Sequence, residues 1–243
     1  MTAYSAQGPD PLVVFISQLG CGAEAWKPVL DHLGQLRAFT YTRPGIGSAD
    51  PRSAPNPPLP HSRFADELAA LLDSAGLSEP AVIVGHSFGG NIARMYAARY
   101  PHRVVGLVFV DASIPRQRIN PADSRLVDGD GPDATEIDFL TGEVEILNAT
   151  LPDVPAVVLQ GDARLWPDLV SPVHADLWDT YQRILARQLG CPLILADSVG
   201  HQVPTDAPAL TAIVIAAVAK AAANGSAVHL DATKFGQAGG VML

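Results

Sequence analysis

The stretch that most constrains this chain is residues 81–94, AVIVGHSFGGNIAR, where a short run of branched apolar residues ends in Gly85-His86-Ser87-Phe88-Gly89 and passes directly into a helix-compatible segment. The spacing fits G-x-S-x-G. A serine at the tip of so tight a strand-to-helix turn has strained backbone angles, and its neighbours must lack side chains for strand and helix to approach closely. Such a turn lifts Ser87 Oγ above the carboxyl edge of a sheet. It also sets the first N–H groups and the positive dipole end of the next helix where an oxyanion would form. Ser87 is therefore the candidate nucleophile. A pattern with three fixed positions also arises by chance, and the strand before it and helix after it are what separate the two readings.

The rest of the chain reads as strands alternating with helices. Apolar runs at 12–17, 81–84, 104–110, 154–160 and 191–196 lack regular polar alternation, which is the signature of strands buried on both faces, and 37–42 is a further strand candidate. Between them, apolar spacing of 3 and 4 predicts helices over 24–36, 63–77, 88–100, 174–189 and 207–223. That alternation predicts an α/β fold in one domain over 1–243, with a mainly parallel sheet of about six strands and helices on both faces. Residues 50–60 carry five prolines and read as an exposed loop, and Arg43-Pro44-Gly45-Ile46-Gly47-Ser48 reads as a turn.

Two segments break the rhythm. Residues 112–153 concentrate Asp123, Asp128, Asp130, Asp133, Glu136, Asp138, Glu143 and Glu145 among glycines and prolines, as expected either of a solvated acidic excursion or of a cap over the site. The tail, 224–243, is aperiodic and is expected to be loosely held or to pack late.

Composition excludes several function classes. A net charge of −9 with no basic run gives no surface for nucleic acid or an anionic membrane. The amino terminus lacks a signal pattern and 209–223 is too short to span a bilayer, so a cytoplasmic protein is expected. Two cysteines, Cys21 and Cys191, supply neither a disulfide framework nor a thiolate metal site; no metal and no cofactor is expected, and the oligomeric state stays open.

A serine hydroxyl needs a base. Of seven histidines, His201 lies just past a strand, on a loop opened by Gly200 and followed by Pro204. His86 sits inside the turn, with its side chain expected to point away from Ser87. His32, His61, His102, His174 and His229 fall on helices, helix starts or the tail.

These markers, together with the 43–48 turn and Leu107-Val108-Phe109-Val110-Asp111-Ala112, make residues 12–223 resemble the α/β-hydrolase fold superfamily in its serine-nucleophile branch. The resemblance implies the order nucleophile, acid, histidine. The usual acid position, after the strand ending at Gln160, falls near Arg164, with Asp162 as the neighbouring carboxylate; a second family arrangement places the acid at Asp111. It also implies oxyanion donors at the Phe88 and Leu19 N–H groups, with Gln18 standing where relatives carry His-Gly. The implied chemistry is hydrolysis of an ester, thioester or lactone of a small apolar substrate through an acyl-enzyme. The alternatives are a ligand-binding receptor that keeps the triad, or a carbon–carbon cleaving, lyase or cyclase member of the fold. Trp166, Trp178, Phe139 and Leu140 either line an apolar pocket or belong to the core.

Overall fold

The computed structural model describes residues 3–5, 8–53, 57–113, 126–129, 131–166 and 172–243. In chain order the elements are β1 (Ala3–Ser5), β2 (Leu12–Ile16), α1 (Lys27–Leu30), β3 (Ala38–Tyr41), α2 (His61–Ser74), β4 (Ala81–His86), α3 (Phe88–Arg99) and β5 (Val104–Val110). There follow β6 (Val127–Asp128), β7 (Thr135–Glu136), α4 (Phe139–Asn148), β8 (Ala156–Gln160), α5 (Pro172–Leu189), β9 (Leu193–Ala196), α6 (Val203–Asp206), α7 (Pro208–Asn224), α8 (Ala232–Gln237) and β10 (Gly240–Met242).

Eight strands form one sheet in the order β1-β3-β2-β4-β5-β8-β9-β10. The six inner strands are parallel, and β1 and β10 add to the edges antiparallel. The mainly parallel sheet with helices on both faces is thus the architecture found, and the five apolar runs with the 37–42 candidate are its parallel strands. The two edge strands were not legible, because three residues paired on one side carry no periodicity.

Alternate residues of each inner strand go to opposite faces, and both faces are covered. Leu12, Val14, Ile16 and Ile83 pack under α2 and α3 against Phe64, Leu68, Ile92 and Tyr96. Val13, Phe15, Val82 and Val84 pack on the other side against Trp26, Val29, Val214, Ile215 and Val218, from α1, the short turn before it, and α7. Burying such side chains contributes about 1.5–3 kcal/mol each, which is why these strands show no polar alternation.

Two local expectations differ, and the acidic stretch is in part built into the fold. The helix expected over 24–36 is only a 3₁₀ turn (Ala23–Trp26) followed by α1, because the chain turns at Gly34, whose φ of 71° no helix tolerates. The tail is ordered: Asp231 caps α8 through the Thr233 and Lys234 N–H groups, and Val241 pairs with Leu195 across the sheet edge. Of the acidic stretch, Asp123 and Asp130 lie outside the described residues. The remainder is not simply solvated, since Asp128 is fully buried, Asp138 caps α4 through the Thr141 N–H, and Glu145 accepts from Ser62 N and Oγ.

Candidate active site

β4 lies between β2 and β5 in mid-sheet, so the turn at its carboxyl end is held from both sides. The Ser87 N–H donates to Val110 O (3.1 Å), and the Ser87 carbonyl accepts from Gly90 N and Ser113 N (2.8 Å each). These bonds hold Ser87 at φ 52°, ψ −122°, a conformation that costs a non-glycine residue about 1–3 kcal/mol. The flanking glycines are sterically required. A Cβ on Gly85 would collide with the Gly89 carbonyl, and one on Gly89 with the Ile16 carbonyl. Among the described residues the other non-glycine positions with positive φ are Asp111 (38°) and Ser198 (60°), at and just before the other site residues.

Ser87, His201 and Asp111 come together. His201 Nε2 is 2.9 Å from Ser87 Oγ, and His201 Nδ1 is 2.7 Å from Asp111 Oδ2. A carboxylate facing Nδ1 assigns the proton to that nitrogen, leaving Nε2 as an acceptor for the serine hydroxyl. Asp111 is fully buried, and its other oxygen accepts from Gly161 N (3.1 Å) and Trp178 Nε1 (2.9 Å). Both oxygens are therefore committed as acceptors. Asp162 faces elsewhere: its Oδ1 accepts from Arg164 N (2.9 Å) and lies 3.6 Å from the Arg164 guanidinium.

The imidazole of His201 is enclosed by rings: Trp166 at 4.1 Å between centroids, His86 at 5.0 Å and Trp178 at 5.9 Å. His86 Nε2–H donates to the His201 carbonyl (2.8 Å) and so holds the histidine loop from inside the serine turn. Burial, with His201 adding to it, pushes the His86 pKa down to about 3, so the ring is neutral across the physiological range. Burial likewise pushes His61 down to about 4, against the opposing pull of Asp138; His61 Nε2 accepts from Asn91 Nδ2 (3.1 Å) under the ring of Phe88.

Both rings are neutral when folded and would charge in the unfolded chain below about pH 6.5. The unfolded state then binds more protons, so stability is lost as pH falls below about 7. By pH 5 the expected loss is about 2 kcal/mol per histidine. Thermal melts from pH 7 to 5 check this, and an unchanged melting temperature over that window contradicts it.

The loop after β2 is braced by a buried ion pair. Arg43 Nε and Nη2 donate to the two oxygens of Asp128 (2.6 and 2.7 Å), while Nη1 and Nη2 also donate to the Ser17 and Gln18 carbonyls (2.8 and 2.7 Å). Asp128 Oδ1 in turn accepts from Gly20 N (3.0 Å), so the loop that carries Leu19 is fixed before and after that residue. The Leu19 and Phe88 N–H groups make no hydrogen bond to another described residue. At the mouth, Gln18 Nε2 donates to Gln202 Oε1 (2.9 Å), joining this loop to the one that carries His201. Removing one member of a buried pair leaves an uncompensated charge, so Asp128→Ala is expected to cost about 3–5 kcal/mol. Urea unfolding measures it, and a loss below about 1 kcal/mol contradicts the bracing role.

Sequence reasoning assigned no positioning role to four contributors: His86, Trp178, the Gly161 N–H and the Arg43–Asp128 pair. His86 carried a signal in its place within the G-x-S-x-G turn, and Trp178 was singled out only as a pocket or core aromatic. Trp166 and Trp178 both lie against His201, Phe139 packs into the core on His61 and Phe88, and Leu140 is exposed.

The family model for the alpha/beta hydrolase fold matches residues 11–131, which hold the serine turn, the Arg43 turn and Asp111. The chain belongs to the α/β-hydrolase fold superfamily. Among curated relatives of this superfamily member, the uncharacterized protein YqjL of Bacillus subtilis (strain 168) is 32% identical over 107 residues, 42% of this chain and 40% of that one. The human (lyso)-N-acylphosphatidylethanolamine lipase is 28% identical over 128 residues, 51% of this chain and 37% of that one. The matches to the curated relatives therefore span less than half of their length. A thermophilic esterase from Thermogutta terrifontis superposes with a TM-score of 0.56 at 19% identity, over 87% of this chain and 89% of that one, a likeness of fold. Among the described residues no helix is long and apolar enough to cross a membrane.

Proposed function

We propose that this α/β-hydrolase is a serine hydrolase that cleaves an ester, thioester or lactone of a small apolar substrate through an acyl-enzyme. The observation that carries the reading is the hydrogen-bonded chain Ser87 Oγ, His201 Nε2, His201 Nδ1, Asp111 Oδ2, with separations of 2.9 and 2.7 Å. It supplies a nucleophile, a base of fixed tautomer and a carboxylate that orients the base.

His201 Nε2 takes the Ser87 proton as Oγ attacks the carbonyl carbon, and the carbonyl electron pair moves onto oxygen. The Phe88 and Leu19 N–H groups are the donors for that oxyanion, pre-aligned by the α3 N-terminus and by the braced loop. Collapse expels the alkoxide or thiolate, which leaves with the proton held on Nε2. Water, deprotonated by the same nitrogen, then attacks the acyl-serine, and collapse of that second intermediate returns the proton to Ser87 Oγ and releases a carboxylic acid. Asp111 stays opposite Nδ1 throughout.

The test is turnover of p-nitrophenyl acetate, butyrate and octanoate followed by p-nitrophenol release. A burst of about one equivalent followed by sustained release supports the acyl-enzyme route. A burst with no later turnover points instead to a receptor that keeps the triad.

A further inference from the structure

A second concave site lies away from the serine. A cavity of about 480 Å³ opens between α3, the end of α4, residues 149–153 and α5, and none of Ser87, His201 and Asp111 lines it. Its walls include Ile146, Leu151, Tyr181, Ile184 and Leu185. Among them stands one cation, Arg94 of α3, which is 7% exposed.

Arg94 is unlike the other two buried arginines. Arg43 is matched by Asp128 and two carbonyls and Arg103 donates to Asp73, whereas Arg94 makes no hydrogen bond or ion pair with any described residue, and its enclosed Nε has no acceptor. Burial alone acts on its pKa, pushing it down to about 10, so the guanidinium is still charged at neutral pH. Asp153 also lines the cavity but is exposed and makes no ion pair with Arg94. An unmatched buried cation beside a row of apolar side chains costs stability and is complementary to an anion carried on an apolar body, and Thr150 and Gln188 make the rest of the wall polar. One guanidinium forks onto one carboxylate. A doubly charged phosphate would leave a charge unmatched in the same surroundings. The volume lies within the roughly 300–1,000 Å³ usual for small-molecule sites.

We propose that this cavity binds an aliphatic monocarboxylate, with the carboxylate on Arg94 and the chain along Ile146, Leu151, Ile184 and Leu185. The site stands apart from the serine chemistry and does not depend on the hydrolase reading.

Calorimetric titration with sodium octanoate and with 1-octanol tests it, using the unmodified protein, Ser87→Ala, Arg94→Met and Ile184→Trp. Octanoate is expected to bind at least about tenfold more tightly than octanol and equally well to Ser87→Ala. Binding is expected to weaken at least about tenfold in Arg94→Met, which removes the charge, and in Ile184→Trp, which fills the cavity from a half-exposed position. Without ligand, Arg94→Met is expected to melt at least as high as the unmodified protein, because an unmatched buried charge has been removed. Equal affinity for octanol, undiminished binding to Arg94→Met, no octanoate binding up to about 1 mM, or a lowered melting temperature in that variant would each overturn the proposal. Should Arg94→Met fail to fold, undiminished binding to Ile184→Trp overturns it equally.

Discussion

Ser87→Ala is expected to lower kcat/KM for p-nitrophenyl butyrate by about four to six orders of magnitude. The size of the loss follows from how the turn is used. The strained backbone of Ser87, its three main-chain hydrogen bonds and the close approach of Gly85 to Gly89 and of Gly89 to Ile16 all serve to set one oxygen 2.9 Å from His201 Nε2. Removing that oxygen leaves a base with nothing to deprotonate but water. The oxyanion donors and binding contacts survive, and they are worth about three to four orders of magnitude over uncatalysed hydrolysis. The variant is therefore expected to retain a small residual rate with KM little changed. Initial rates against a blank of denatured protein measure it, and a loss smaller than about tenfold contradicts nucleophilic catalysis by Ser87.

Asp111→Asn is expected to lower kcat by about 10⁴ while Asp162→Asn changes it by less than about threefold. Asp111 receives three N–H donors, from His201, Gly161 and Trp178. An asparagine has one oxygen to offer. If the amide oxygen stays on Gly161 and Trp178, its NH₂ faces Nδ1; the imidazole must then carry its proton on Nε2 and cannot accept one from Ser87. If the amide flips, its NH₂ confronts two buried donors, at a cost of about 1–3 kcal/mol in stability. Only the flipped orientation keeps Nε2 as a base, and leaving those two donors unpaired disfavours it, so the amide is expected to settle with its oxygen on Gly161 and Trp178 and the base is lost. Asp162, by contrast, caps the turn at Ala163–Leu165 and pairs with the half-exposed Arg164. Comparable losses in the two variants would contradict Asp111 as the orienting carboxylate.

Much of the scaffold was legible because its strands announce themselves. A run such as Leu12–Ile16 has no polar residue on either face, and only a sheet covered on both sides buries it. The serine turn was legible for a different reason, since its glycines are demanded by close backbone approach. The braces were not. Arg43 reads as part of a turn, and Asp128 as one acid in an acidic stretch; their partnership spans 85 residues and leaves no periodic trace. His86 was read as pointing away from Ser87 but not as the anchor of the His201 carbonyl, because a backbone acceptor 115 residues away has no residue type to read. The edge strands and the hydrogen bond from Trp178 to Asp111 escaped for the same reason: they exist only once the sheet is assembled.

The most direct measurement is location by mass spectrometry of the adduct left by a fluorophosphonate probe on the folded protein, with Ser87→Ala and Asp111→Asn alongside. Near-stoichiometric phosphonylation of the peptide bearing Ser87, absent in Ser87→Ala and slowed at least about hundredfold in Asp111→Asn, is the expected result. An adduct on another residue, or equal labelling of protein and Ser87→Ala, would contradict a nucleophilic Ser87.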